Sequence, residues 1–261
     1  MHTTNNFALG LRHLMLAAAI AACAMPVSQA LASPLDWIAG EKVQGNGNVK
    51  KQVRELAHFT GMSLNLPASA ELRIGNTESI SIETDDNLLP MIETVIENGV
   101  LKIRPTKRNA QLQVRTMKIV VYAKEIDRVS LGGSGSIDAD ALKANKLQFD
   151  LGGSGSIRVK SIDSDSVAIN VGGSGTLKSG AGKAASLSVS IGGSGDVDVG
   201  MVQVNDASVS VGGSGTAVVW ANNGLSVSIA GSGDVNYYGD PKVSRTVVGS
   251  GGTKRLGSAP K

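Results

Sequence analysis

This sequence predicts an all-β fold, a right-handed parallel β-helix built from coils of about 20 residues. Three observations carry that prediction. Gly-Gly-Ser-Gly recurs at 132–135, 152–155, 172–175, 192–195 and 212–215, a strict 20-residue spacing. Ala230-Gly231-Ser232-Gly233 and Val248-Gly249-Ser250-Gly251 then follow at 18-residue spacing. The flanks of each copy alternate apolar with small or polar residues at period two, the mark of a strand with one buried face. Lastly, 33 of the 261 residues are glycine, while Phe, Tyr and Trp number three, three and two. Such a core has to be filled by Val, Ile, Leu and Ala. Collagen is excluded, because the glycines keep no Gly-X-Y period and prolines number only seven. A content of 41% hydrophobic and 18% charged residues argues against wholesale disorder.

The first element, residues 1–32, reads as an export signal rather than as fold. Arg12 supplies positive charge, Leu14 to Ala24 form an apolar run, and Pro26 breaks it. Ala30-Leu31-Ala32 offers an A-x-A site, with cleavage expected between Ala32 and Ser33. The run falls short of the ~20 residues of a membrane-spanning helix. A second reading stays open: Ile20-Ala21-Ala22-Cys23 resembles a lipobox, and Cys23 is the only cysteine. Lipidation there would tether the protein to a bacterial membrane; otherwise it is exported in soluble form to the periplasm or cell surface. Loss of residues 1–32 leaves no cysteine and so no disulfide framework. A net charge of +3 for the whole chain gives no reason to invoke nucleic acid.

Residues 33–52 are polar and read as a linker or tether. From His58 the pattern becomes alternating strands: Met62 to Leu66, Glu71 to Ile74, Ile80 to Glu83, Ile92 to Ile96, Val100 to Ile103 and Met117 to Tyr122. Asn98-Gly99 between two of these runs predicts a hairpin turn. The β-helix domain is expected over 53–256, with 257–261 a basic tail.

Within each repeat the alternation runs through the tetrapeptide unbroken, as in Val189, Ile191, Gly193, Gly195, Val197 and Val199. This phase points the second and third glycines of each copy inward: Gly133, Gly135, Gly153, Gly155, Gly173, Gly175, Gly193, Gly195, Gly213 and Gly215, with Gly231 and Gly233 in the first degenerate copy. Inward glycine implies a place without room for a side chain. The serine between them would form an outward ladder able to share hydrogen bonds from coil to coil. An antiparallel β-sandwich with GGSG turns is the alternative, and antiparallel neighbours would distinguish it.

Sites of chemistry are sparse. The calcium-binding nonapeptide needs Asp at the sixth position, where Ile137, Ile157, Leu177, Val197, Ala217 and Val235 stand instead. No G-x-x-x-x-G-K-[ST] is present for phosphate. His58 is the single histidine beyond the leader and reads as structural or exposed. Asp85-Asp86-Asn87 is the best acidic cluster, and it reads more naturally as a polar turn. Seven acids between Glu71 and Glu97 face six bases between Lys102 and Lys118. Neighbouring strands pairing opposite charges explain this most simply, and a basic patch for anionic envelope polymers is the sharper reading. No catalytic residue, cofactor or metal is expected.

The sequence resembles the head GIN domain family, the heads of putative auto-transporter adhesins. The resemblance is carried by Val53-Arg54 with Phe59-Thr60-Gly61, by Ser81-Ile82-Glu83-Thr84-Asp85-Asp86-Asn87-Leu88-Leu89, and by Asn98-Gly99-Val100-Leu101-Lys102-Ile103. The GGSG series and Tyr237-Tyr238-Gly239-Asp240-Pro241 complete it, over about residues 53 to 256. It implies an exported β-helical domain of adhesin-like character and brings no catalytic or metal residue. No translocator barrel follows Lys254 to Lys261, so self-export is not expected. The reading that results is a non-enzymatic module binding or scaffolding envelope or surface components. The alternative is a carbohydrate-binding or glycan-cleaving β-helix protein; Trp220, Tyr237 and Tyr238 are the aromatics late in the chain.

Overall fold

The computed structural model of the chain describes residues 42–107 and 110–260. The expected export signal, with Cys23, Ala32 and Ser33, lies outside the described residues. The alternating stretches become β1 (Lys42–Gln44), β2 (Val49–Glu55), β3 (Gly61–Leu64), β4 (Ser69–Ile74), β5 (Ser79–Asp85), β6 (Ile92–Glu97), β7 (Val100–Pro105), β8 (Gln111–Gln113) and β9 (Lys118–Ala123). Part of the stretch expected as a tether is therefore strand. A 3₁₀ turn at Leu89–Met91, with its proline in the first positions, leads into β6. β6 and β7 form the hairpin that Asn98-Gly99 predicts, and both turn residues have left-handed φ, 52° and 75°, as a two-residue turn requires.

The repeats continue as β10 (Arg128–Leu131), β11 (Ser136–Leu151), β12 (Ser156–Val171), β13 (Thr176–Ser179) and β14 (Gly182–Ile191). After them come β15 (Asp196–Gly213), β16 (Thr216–Gly231), β17 (Asp234–Tyr238), β18 (Lys242–Gly249) and β19 (Gly252–Gly257). Pairing among these ten is parallel throughout. Register follows the repeat: Val129 stands beside Phe149, Phe149 beside Ile169, Ile169 beside Val189 and Val189 beside Val209. Equivalent residues stack coil on coil, and the antiparallel sandwich is thereby excluded. The protein is a β-helix.

The shortened spacing of the last two copies has a local cause. Asp198 pairs with Val218, twenty residues on, but Asp206 pairs with Gly224, eighteen on. Two residues are dropped at the corner between them, and the coils beyond keep the shorter period. At the other end β3 and β4 lie parallel between β7 and β9 on one side and β10 and β11 on the other. β5 runs antiparallel to β9 and β2, and β6 antiparallel to β7. These antiparallel strands continue the stack at that end, with β2 and β6 as its edge strands among the described residues.

Three of the inward columns that make the core of the repeats flank the tetrapeptides. They are Val129, Phe149, Ile169, Val189, Val209 and Val227; Leu131, Leu151, Val171, Ile191, Val211 and Ile229; and Ile137, Ile157, Leu177, Val197, Ala217 and Val235, all buried. Each such side chain contributes on the order of 1.5–3 kcal/mol by leaving water. Buried Thr84 and Ser179 find backbone acceptors: Thr84 Oγ1 donates to the Thr116 carbonyl at 3.1 Å and Ser179 Oγ to that of Ala181 at 3.0 Å.

The glycine corners show why a side chain is missing there. The Gly173 carbonyl points along the stack and accepts from the Ser194 N–H at 3.1 Å. A Cβ on Gly193 would lie 2.5 Å from that oxygen. On Gly195 it would lie 2.6 Å from the Gly175 carbonyl and 2.5 Å from Val171 Cγ1. The first glycine of the second to fifth copies differs: a Cβ on Gly152 or Gly172 would have nothing within 4 Å, and one on Gly192 nothing nearer than 3.9 Å. The serine ladder departs from expectation. Its backbone N–H groups bond from coil to coil, while among the described residues the side chains of Ser154, Ser174, Ser194 and Ser214 bond nothing. Hydroxyls stacked at the ~4.8 Å coil spacing stand too far apart for a hydrogen bond of 2.5–3.0 Å.

Candidate functional site

The acidic turn Asp85-Asp86-Asn87 spends its hydrogen-bonding capacity on the fold. Buried Asp85 accepts from the Gly47 N–H at 2.7 Å. Asp86 accepts from Asn46 Nδ2 and Asn48 Nδ2, both at 2.6 Å, and lies 3.0 Å from Lys50 Nζ. Asn87 takes the Asn46 N–H at 3.1 Å and donates to the Gln44 carbonyl at 2.9 Å. The turn is a latch that holds the loop between β1 and β2.

Hydrogen bonds from Asn46, the Lys50 ammonium and the Asn48 amide hold the Asp86 carboxyl below its ordinary pKa. A carboxylate depressed on folding stabilises above the unfolded value of ~3.9 and loses that contribution as pH falls through the folded value. Melting temperatures of wild type and Asp86→Asn should therefore differ at pH 6 and converge near pH 2. A gap that persists at low pH would mean that ionisation of Asp86 does not set the latch.

His58 is exposed; its Nδ1 lies 2.7 Å from Glu78 Oε1 and its Nε2 3.7 Å from Glu125 Oε1. No nucleophile stands among these contacts. The opposed charges of the first half pair across strands. Lys102 meets Glu97, Arg104 meets Glu93 at 2.8 Å and Glu97 at 3.0 Å, and Lys118 meets Glu71 at 3.0 Å. Lys102 and Arg104 hold the Glu97 carboxyl low, and Lys118 and Arg73 do the same for Glu71. From Glu71 the pairing continues along one outward column of the repeats. Asp138 pairs with Arg158 at 2.6 Å and Lys178 with Asp198 at 2.9 Å, and each carboxylate raises its partner's pKa. This column is neutralised from within.

A concavity of about 950 Å³ opens where the crossover at 125–128 meets the corners of the next two coils. Glu125, Asp127, Lys143, Lys146, Asp163 and Asp165 line it. Lys143 and Asp163 form an exposed ion pair across it at 3.7 Å. Acids and bases are interleaved there rather than converging on a point. Among the described residues no group of three or more His, Cys, Asp or Glu is placed to hold a metal ion.

A different outer face stands out, and the sequence reasoning passed over it. Ser188 and Ser190, Ser208 and Ser210, Ser226 and Ser228, and Ser244 and Thr246 occupy equivalent outward positions on four successive coils. All eight are exposed and none bonds another group among the described residues. They form a grid, about 4.8 Å between coils and roughly 7 Å along each strand. The signal was present: serine, with one threonine, recurs at fixed offsets before each of the last four tetrapeptides, on the solvent side of the alternation. Elsewhere, Trp220 and Tyr238 are register partners on neighbouring coils, while Tyr237 packs partly into the core.

The model of a family described as "Putative auto-transporter adhesin, head GIN domain" matches residues 58–241. No curated protein sequence matches the chain. Several solved structures share the architecture. A crystal structure of a "putative adhesin" from Bacteroides fragilis is 19% identical with a TM-score of 0.77, over 82% of this chain and 100% of that one. A "putative lipid binding protein" from Parabacteroides distasonis is 25% identical with a TM-score of 0.69, over 83% and 100%. A "putative adhesin" from Parabacteroides merdae is 22% identical with a TM-score of 0.64, again over 83% and 100%.

Proposed function

The chain belongs to the head GIN domain family, and from that membership we propose that it is an exported, non-enzymatic, adhesin-like module that holds envelope or surface polymers on its outer faces. The grid of Ser188, Ser190, Ser208, Ser210, Ser226, Ser228, Ser244 and Thr246 carries this reading. Eight exposed hydroxyls without partners among the described residues make an uncharged surface of donors and acceptors. Each hydrogen bond made there contributes only about 0.5–1.5 kcal/mol. A polymer touching several coils at once adds such contacts, because each later one forms at high effective concentration. Extended contact of this kind needs no cleft, and it suits a hydroxylated chain laid on the face.

The closing test is a binding screen of the purified protein against glycans and envelope polymers. The triple variant Ser190→Lys, Ser210→Lys, Ser228→Lys should weaken capture of the best polymer at least about tenfold. Its melting temperature should stay near that of wild type, since all three side chains face solvent. Unchanged capture would sink the serine face as the contact surface. A second reading, a carbohydrate site that stacks sugar rings, is favoured by the Trp220 and Tyr238 pair. Loss of capture in Trp220→Ala, with the serine variant intact, would select it.

A further inference from the structure

Among the described residues both ends of the stack finish in edge strands: β2 pairs only with β5 and β6 only with β7 at one end, β18 only with β16 and β19 only with β17 at the other. They differ in charge, since Lys50 and Arg54 on β2 have partners. Every residue of β18 is exposed. Among them are Val243, Val247 and Val248, the last 69% exposed, and Leu256 on β19 is 42% exposed. The inward columns change character here as well. Arg245 stands in register with Val227, and Thr253 with Val235, where earlier coils carry apolar residues alone. Thr253 Oγ1 is buried without a hydrogen-bond partner.

Charge at this end is one-sided. Lys242, Arg245, Lys254 and Arg255 lie on β18 and β19, which contain no acid. Arg255 donates to the Gly239 carbonyl at 2.7 Å and reaches Asp240 at 3.7 Å. Lys242, Arg245 and Lys254 bond nothing among the described residues, unlike the paired cations of the charged column. This coil also lies beyond the span at 58–241 that matches the family.

We propose that this end of the β-helix docks reversibly on an anionic lipid surface at headgroup depth. Open strand edges cannot enter hydrocarbon, where their free N–H and C=O groups would find no partner. At the hydrated headgroup level those N–H groups and the three unpaired cations meet phosphate oxygens, while Val243, Val248 and Leu256 bury part of their surface. A second copy fits the charges poorly. The same end would set Lys242, Arg245 and Lys254 against themselves, and the exposed edge strand at the other end, β2, also presents Lys50 and Lys51.

The test is flotation of the full chain with vesicles of phosphatidylcholine alone and of phosphatidylcholine with 30 mol% phosphatidylglycerol. The protein carries Cys23→Ala so that no acyl chain can account for binding. Near an anionic surface each cation strengthens binding about fivefold. The mixed vesicles should capture the protein, the neutral ones should not, and 0.5 M salt should release it. Lys242→Glu, Arg245→Glu, Lys254→Glu should lower capture at least about tenfold, and the corresponding Gln variants should lower it less, with melting unchanged in both. Equal capture by neutral vesicles would overturn the proposal, as would full capture of either variant. So would absence of lipid capture with a sedimentation mass that shows self-association abolished by the Glu variant, which would assign this end to a second copy.

Discussion

Gly193→Val should be the most damaging single substitution in the repeats, lowering stability by about 4 kcal/mol or more. A Cβ there would stand 2.5 Å from the Gly173 carbonyl oxygen, well inside contact distance. That oxygen cannot yield, since it accepts from the Ser194 N–H and forms part of the bonding between coils. Relief requires separating two rungs, which loses backbone hydrogen bonds and the packing of the columns beside them. Overpacking where side chains can adjust costs typically ~1–3 kcal/mol; a clash with fixed backbone should exceed it. Gly192→Ala is the matched control, because its Cβ would meet only the Val171 carbonyl oxygen, at 3.9 Å. Ser194→Ala should be equally mild, since its hydroxyl is outward and bonds nothing among the described residues. Thermal melting of the three variants checks this. Equal, small losses in all of them would show that the glycine corner has room after all.

Phe149→Ala should cost about 3–5 kcal/mol. Phe149 is fully buried and stands in register between Val129 and Ile169. Truncation loses the transfer free energy of the ring and leaves a void. Collapse into that void is limited, because hydrogen bonds along β10, β11 and β12 hold neighbouring rungs at their spacing. Denaturant unfolding measures the loss directly. A change below about 1 kcal/mol would mean that the coil closes around the gap. Phe149→Leu should recover most of the stability.

The repeats were largely legible because their periodicity acts locally. Val189, Ile191, Gly193, Gly195, Val197 and Val199 declare which face is inward without reference to anything distant, and a 20-residue period leaves each coil only its neighbours to stack on. The first half was less legible. Nothing local states that β3 lies between β7 and β10, or that β5 turns antiparallel beside β9 and β2. These pairings join segments tens of residues apart. Asp85-Asp86-Asn87 reads as a polar turn from its composition, but its partners Gln44, Gly47 and Lys50 are visible only once β2 lies along β5.

Candidate surfaces divide in the same way. The pairing of Glu71 with Lys118 and of Glu97 with Lys102 was foreseeable as opposed charge, whereas the choice of partner depended on register. The serine grid needed both levels: the residues are plain in the sequence, but only stacking turns four Ser-x-Ser or Ser-x-Thr pairs into one face. By itself the sequence determined a β-helix, its inward columns and its glycine corners, because alternation and period are properties of neighbouring residues. Only the tertiary structure decided which strands close each end, which charges are neutralised and which hydroxyls and cations are left facing outward. Those outcomes depend on contacts between distant segments, where geometry rather than local pattern selects the partner.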